Sequence, residues 1–316
     1  MAADTLRFGL AGYGPWGAMH AAAIAHTPGA RLTAIAERSP ERRATARQAW
    51  GDVAIVDDWT TLVTRDDVDL VDVVLPGPLH FEVTRAAIEA GKHVLIETPL
   101  VEHFRQADEL IARACEHEVM LSVGHQRRVA PLWNRVQQLV AQGVIGRPQR
   151  VAWEISCSAN ADHELLHAFD LARWYLAGAG EPKSVCVREL EPGSRFLAGV
   201  DLAEDACLTC EPTPSDGRAQ ILCRVKGEQD AIRALWIAGD PPYAELRYGT
   251  PERIELVEPT TESVNLARHL AAVVHATMAG QSPPAGGADG RTAVRMLQAA
   301  QVSLRLGRAV RIGEVA

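Results

Sequence analysis

Two stretches of this 316-residue chain have residue types and spacing that can do chemistry. The first is His163-Glu164-Leu165-Leu166-His167. Residues four apart on a helix share one face, so the spacing predicts that both imidazoles point into one cleft. An imidazole titrates at a pKa of about 6.5 and therefore exchanges protons near neutrality. The same five residues spell H-E-x-x-H, a zinc-peptidase signature. That motif is short and tolerant, and no third ligand follows at a recognised spacing, so peptidase activity is discounted. His125 closes a predicted strand and is the one further histidine with which the pair can form a three-histidine zinc arrangement. No metal is expected among the site residues.

The second stretch is Gly12-Tyr13-Gly14-Pro15-Trp16-Gly17, which follows the apolar run Leu6 to Ala11 and opens an alanine-rich helical segment. A strand, a glycine turn and a helix in this order let backbone N–H groups approach a pyrophosphate that side chains at Gly12 or Gly14 would obstruct. Glu37 ends the next apolar run, Leu32 to Ala36, and is placed to accept hydrogen bonds from an adenosine ribose. Arg38 and Ser39 beside it are suited to a 2′-phosphate, which leaves NAD and NADP both open. The bland alternative is a turn that only lets helix and strand pack closely.

These residues need elements to position them. Apolar runs recur at Val53 to Val56, Leu70 to Leu75, His93 to Ile96 and Val119 to Val123, separated by helical stretches. The alternation predicts a parallel sheet with helices on both faces and ligands at the carboxyl ends of the strands. Pro76-Gly77-Pro78 and Thr98-Pro99 then fall on the cofactor rim. A helix over Pro131 to Gln142 leads to a turn-rich junction at Gly146-Arg147-Pro148. Beyond it come a strand at Arg150 to Ser156, a helix at Glu164 to Leu176, and strands at Ser184 to Leu190, Ala206 to Cys210, Gln220 to Val225, Ala234 to Ile237, Glu245 to Tyr248 and Arg253 to Val257. Two closing helices flank a Gly/Pro-rich loop, Gly280 to Gly290, and Ala309 to Ile312 is a last short strand. The pattern predicts a mostly antiparallel sheet with one face free to associate with a second subunit. Two domains are expected, 1–124 and 125–316.

Composition sets the class. A chain that is 47% hydrophobic and 23% charged can bury a large core, and a net charge of -8 without basic runs disfavours nucleic acid. No apolar stretch approaches membrane-spanning length and no signal-like segment opens the chain, so a cytoplasmic protein with a small polar partner is expected. Six cysteines are read as reduced thiols, and Cys207 and Cys210, three apart on a strand, as structural groups on opposite faces. The lysines are Lys92, Lys183 and Lys226.

In sequence the chain resembles the Gfo/Idh/MocA oxidoreductases, a family named for glucose–fructose oxidoreductase, inositol dehydrogenase and a rhizopine-catabolism protein. The likeness runs through the glycine turn and His20, Leu75-Pro76-Gly77-Pro78-Leu79-His80, Ala90-Gly91-Lys92-His93 to Glu97-Thr98-Pro99-Leu100, and Val123-Gly124-His125-Gln126-Arg127-Arg128. It continues through the helix with His167 and Asp170, and through Asp289-Gly290-Arg291 to Ser303 and Gly307. The resemblance implies an α/β fold with an N-terminal Rossmann domain, a doubly wound parallel sheet, and a C-terminal α/β domain with a large, mostly antiparallel open sheet. It also implies NAD or NADP as cofactor and a homodimer or homotetramer built through that sheet. Cofactor contacts are expected from Gly12, Gly14, Pro15, Trp16, Gly17, Glu37, Arg38, Pro76, His80, Glu97 and Thr98, and substrate contacts from His125, Arg127 and Asp162. Trp16 and Tyr13 flank the turn, and one of Arg127 and Arg128 is expected in a structural ion pair.

Two departures fall on catalytic positions. The family's Glu-Lys-Pro is here Glu97-Thr98-Pro99, and a threonine hydroxyl carries no charge with which to assist alkoxide formation. Lys92 precedes its strand and so lies at the wrong end of the sheet. The family's Asp-x-x-x-His is here His163 to His167, with Asp162 just before as a replacement carboxylate. Acid–base work is carried over to His167, with His163 and Thr98 shaping the site. The expectation is an NAD(P)-dependent oxidoreductase of a small polar metabolite, an imine or conjugated double bond rather than a polyol. The alternative is a cofactor-binding sensor, scaffold or non-redox enzyme, with or without a metal at His163 and His167.

Overall fold

The computed structural model describes residues 5–156, 161–177, 180–191, 195–202, 206–212 and 218–315. The chain divides into two compact units, one of 1–126 with 262–291 and one of 127–261 with 292–316.

The first unit begins with β1 (Leu6–Ala11), α1 (Pro15–His26), β2 (Ala30–Ala36), α2 (Pro40–Ala49), β3 (Ala54–Val56) and α3 (Trp59–Val63). It continues with β4 (Leu70–Val73), α4 (His80–Glu89), β5 (His93–Ile96), α5 (Phe104–Glu116) and β6 (Leu121–Val123). Among the described residues the strands form one parallel sheet in the order β3-β2-β1-β4-β5-β6. The order reverses between β1 and β4, the switch point at which such sheets leave a crevice for a ligand. The strands read as continuous apolar runs because helices cover both faces; Phe8, Leu10, Ile35, Leu70 and Leu95 are fully buried or nearly so.

The second unit starts with α6 (Pro131–Ala141), β7 (Pro148–Ser156) and α7 (Ala161–Tyr175), then β8 (Pro182–Glu191), β9 (Arg195–Leu202), β10 (Cys207–Pro212), β11 (Gln220–Gly227), β12 (Ala231–Ile237), β13 (Tyr243–Tyr248) and β14 (Arg253–Leu256). Along the chain α8 (Glu262–Ala279) then belongs to the first unit, α9 (Gly287–Leu306) begins in the first and continues in the second, and β15 (Val310–Arg311) closes the second. The described strands form a sheet in the order β14-β13-β12-β11-β7-β10-β9-β8-β15, antiparallel except where β10 runs parallel to β7. On one face, Trp153 of β7 lies in register with Cys223 and Cys210 and stacks on Trp133 of α6 with ring centroids 4.9 Å apart. The Tyr175 hydroxyl of α7 donates to the Trp133 carbonyl at 3.1 Å. The other face carries Leu222, Leu235 and Ile237 half-buried and Tyr243, Ile254 and Leu256 exposed.

Three expectations change. A single boundary after 124 gives α8 to the second domain, whereas its residues pack with the first unit. Leu266, Leu270, Val273 and Val274 recur at helical spacing and bury against Phe8, Ile24 and Ile35. Strand β9 has no counterpart among the strands expected from the sequence. The loop expected over Gly280 to Gly290 is shorter, because α9 starts at Gly287. Cys207 is half-buried and Cys210 buried on alternate faces of β10, as an odd spacing on a strand requires.

Candidate active site

The glycine turn is sterically obligatory at two of its three glycines. Gly12 has φ +101°, and a Cβ there would sit 2.2 Å from the Val74 carbonyl oxygen. A Cβ on Gly17 would sit 2.2 Å from the Gly12 carbonyl oxygen, so α1 can leave β1 this tightly only without side chains at both positions. Gly14 differs: the nearest atom to its Cβ would be Arg42 Nη1 at 3.9 Å, in open cleft. Pro15 occupies the first helical position, where a missing N–H costs nothing and leaves the following donors at the helix end. Gly12 and Gly14 line a cleft of about 450 Å³ together with Glu37, Arg38, Arg42, Asp57, Asp58, Trp59, Val74, Leu75, Pro76 and Leu79. A space framed by a bare glycine, a helix N-terminus and a carboxylate suits the diphosphate and ribose of a dinucleotide.

Glu37 is fixed before any ligand arrives. Its Oε2 accepts the Tyr13 N–H at 2.9 Å and its Oε1 the Ser39 N–H at 2.8 Å. Ser39 caps α2 by accepting the Arg42 N–H, and Arg43 donates to the carbonyls of Glu37 and Arg38. Tyr13, which flanks the turn, is buried in the core with its hydroxyl accepting the Trp50 indole N–H at 2.9 Å.

At the β4–β5 side of the switch point lies a buried trio that the sequence reading did not assemble. His20 Nδ1 is 2.7 Å from Asp72 Oδ2, and His20 Nε2 is 3.1 Å from Glu97 Oε1. Burial alone would push the His20 pKa down, yet the two carboxylates outweigh it and raise it to about 10. Burial raises Asp72, whereas hydrogen bonds from His20, the Trp16 indole and the Thr98 N–H outweigh burial and lower Glu97. Trp16 meets His20 edge to face, with ring centroids 5.5 Å apart. A Cβ on Gly124 would lie 2.9 Å from Glu97 Oε1, so this glycine makes room for the carboxylate. Asp72 was legible in principle, since a lone acid inside the apolar run Leu70 to Leu75 must be paired to be buried.

Next to Glu97, the Thr98–Pro99 peptide is cis, and Thr98 Oγ1 is buried with no hydrogen-bond partner among the described residues. His80, expected on the cofactor rim, has both ring nitrogens against backbone carbonyls, Pro99 at 2.7 Å and Leu75 at 2.8 Å. It ties the loop after β4 to the loop after β5. Lys92 lies before β5, and its Nζ donates to the carbonyls of Arg65 and Val68 at 2.8 and 2.9 Å. His125 follows β6 and is buried.

In the second unit, α7 presents His163 exposed and His167 buried, with ring centroids 4.6 Å apart at a steep angle. Arg127 grips both oxygens of Glu164 at 2.9 and 2.8 Å, and Arg128 both oxygens of Asp170 at 3.0 and 2.6 Å. Both arginines therefore make structural pairs, where one was expected to contact substrate. Burial would raise Glu164, but His163 and Arg127 pull it down to about 2. A carboxylate with both oxygens held by a guanidinium and its proton affinity lowered is a poor general base, which argues against the peptidase reading of H-E-x-x-H. Among the described residues no three His, Cys, Asp or Glu side chains form a metal-binding group. Asp162 lies in the first turn of α7, and its side chain falls outside the described residues.

Residues 6–125 match the family model described as oxidoreductase family, NAD-binding Rossmann fold. The uncharacterized oxidoreductase YdgJ of Escherichia coli is 37% identical over 144 residues, 45% of this chain and 41% of that protein. Levoglucosan dehydrogenase of Pseudarthrobacter phenanthrenivorans is 28% identical over 237 residues, 71% of this chain and 60% of that protein. The chain thus spans between 41% and 60% of the length of these curated relatives. The solved structure of scyllo-inositol dehydrogenase from Lactobacillus casei, with bound NAD(H) and scyllo-inositol, shares the fold at a TM-score of 0.82 and 19% identity, covering 98% of this chain and 100% of that one. No helix among the described residues is long and apolar enough to cross a membrane. A glycine turn built as these geometries require, a carboxylate closing β2 and a switch point between β1 and β4 agree with the match: residues 6–125 are similar to the NAD-binding Rossmann fold of the oxidoreductase family named GFO_IDH_MocA.

Proposed function

We propose that this chain is an NAD-dependent oxidoreductase acting on a small polar metabolite whose carbon–nitrogen or conjugated carbon–carbon double bond is reduced, with His167 exchanging the proton. The observation that carries the substrate class is the missing cation. Thr98 stands where the family has lysine, Lys92 is held by carbonyls at the amino end of the sheet, and Lys183 and Lys226 lie on β8 and β11 of the second unit. Reducing a carbonyl builds alkoxide charge that an ammonium stabilises, whereas an iminium arrives charged and a conjugated bond delocalises its electrons.

The bound nicotinamide supplies or accepts the hydride; the chain supplies the rest. Gly12, Gly14 and the α1 N-terminus take the diphosphate, and Glu37, already fixed by two N–H groups, takes the ribose hydroxyls. A 2′-phosphate would bring like charge against Glu37, so NAD is the expected partner despite Arg38 and Arg42 on the same cleft. Glu97, braced by His20 and Trp16, shapes the β5 end, and the Thr98 hydroxyl offers one neutral hydrogen bond. Burial gives His167 a fixed position, and the two arginine pairs hold α7 beneath it.

Replacement of Thr98 by lysine tests the substrate class. With steady-state rates on imines, enones and polyols, Thr98→Lys leaves imine or enone reduction no faster; a large gain on polyols would show that the site is a polyol dehydrogenase lacking its lysine.

A further inference from the structure

The buried trio His20, Asp72 and Glu97 has a charge that follows from its geometry. A hydrogen bond joins Asp72 to His20 Nδ1 at 2.7 Å, and the Glu97 carboxylate faces His20 Nε2 at 3.1 Å. An imidazole with a carboxylate facing each ring nitrogen keeps one proton directed toward each of them. Whether the first proton sits on Asp72 or on His20, the sum over two carboxylates and one imidazole is one negative charge. His20 and Asp72 have side chains 1% and 0% exposed and Glu97 13%, so solvent screens this charge little. Among the described residues no lysine or arginine pairs with either carboxylate, and the family's lysine position is Thr98, whose buried hydroxyl has no partner.

In this strand order a dinucleotide crosses the β1–β4 switch point with its diphosphate on α1. Glu37 on the β2 side takes the adenosine half, leaving the β4–β5 side, where Glu97 stands, for the nicotinamide half. The oxidised nicotinamide ring is a cation and the reduced ring is neutral. We infer that the His20–Asp72–Glu97 trio, left uncompensated by the Thr98 substitution, makes this chain bind oxidised cofactor more tightly than reduced cofactor. Glu97 is the residue facing the cofactor; His20 and Asp72 are positioning residues that act through it. The inference rests on the dinucleotide reading of the cleft.

The test is the ratio of dissociation constants for NAD+ and NADH, measured by calorimetry on the full chain at one pH and salt. The wild type prefers NAD+. Glu97→Gln removes the charge and Thr98→Lys compensates it, and each moves the ratio toward NADH by roughly tenfold, as expected for one charge at short range in a partly buried site. A purely structural role would weaken both forms together and leave the ratio unchanged, which would overturn the inference. Thermal melting checks folding; should Glu97→Gln fail to fold, Thr98→Lys at its half-buried position still decides. Binding of neither form by the wild type would overturn the dinucleotide reading and the inference with it, whereas tight binding of both with an unmoved ratio overturns the inference alone.

Discussion

At the residue scale, function turns on how few groups can move a proton. His167 is buried beside His163, and Glu164 between them is locked to Arg127. His167→Gln keeps the volume and a hydrogen-bonding end but cannot titrate. It is expected to lower kcat by roughly 100-fold or more while leaving the cofactor dissociation constant within about twofold. A wild-type rate in that variant would remove His167 from the chemistry. Glycine spacing, Glu37 and the histidine pair were legible in the sequence because each is a local pattern. The trio was not, because His20, Asp72 and Glu97 sit on three elements and meet only when α1 crosses the ends of β4 and β5. Nor was the commitment of both Arg127 and Arg128, since a sequence shows two cations but not the carboxylates 37 and 42 residues further along the chain that claim them.

At the element scale, α7 is fastened by two buried bidentate ion pairs, and breaking one leaves a charge without its partner. Asp170→Asn is expected to destabilise the second unit by about 3–5 kcal/mol, visible in chemical denaturation. The pH dependence has a definite sign at Glu164. Its folded pKa of about 2 lies below the ordinary 4.5, so its stabilisation is complete above pH 4.5 and is lost as pH falls toward 2. Acid unfolding monitored by far-ultraviolet circular dichroism should therefore steepen across that window, and an Arg127→Met variant should lose the steepening. Periodicity identified most elements, with ends shifted by a few residues. Strand β9 escaped it: Ala198, Val200 and Leu202 alternate as buried positions, but Gly199 between them weakens the pattern. The affiliation of α8 was equally hidden, because an amphipathic stripe says that a helix is covered and not by which sheet.

At the scale of the whole molecule, the nine-stranded sheet leaves one face carrying Leu222, Leu235, Ile237, Tyr243, Ile254 and Leu256. We propose that this face joins copies of the chain into a homodimer or homotetramer. Light scattering on the purified protein is expected to give a mass above that of one chain, and Ile254→Arg with Leu256→Arg to reduce it; a monomeric wild type would refute the proposal. The central claim is that the first unit binds NAD and that this chain uses it for hydride transfer. It is tested most directly by titrating NADH into the protein and then following its ultraviolet absorbance with a panel of imines, enones, ketones and sugars. Saturable binding followed by oxidation of NADH on an imine or enone is the predicted result. Tight binding with no turnover across the panel would contradict it and make the chain a cofactor-binding protein without redox chemistry.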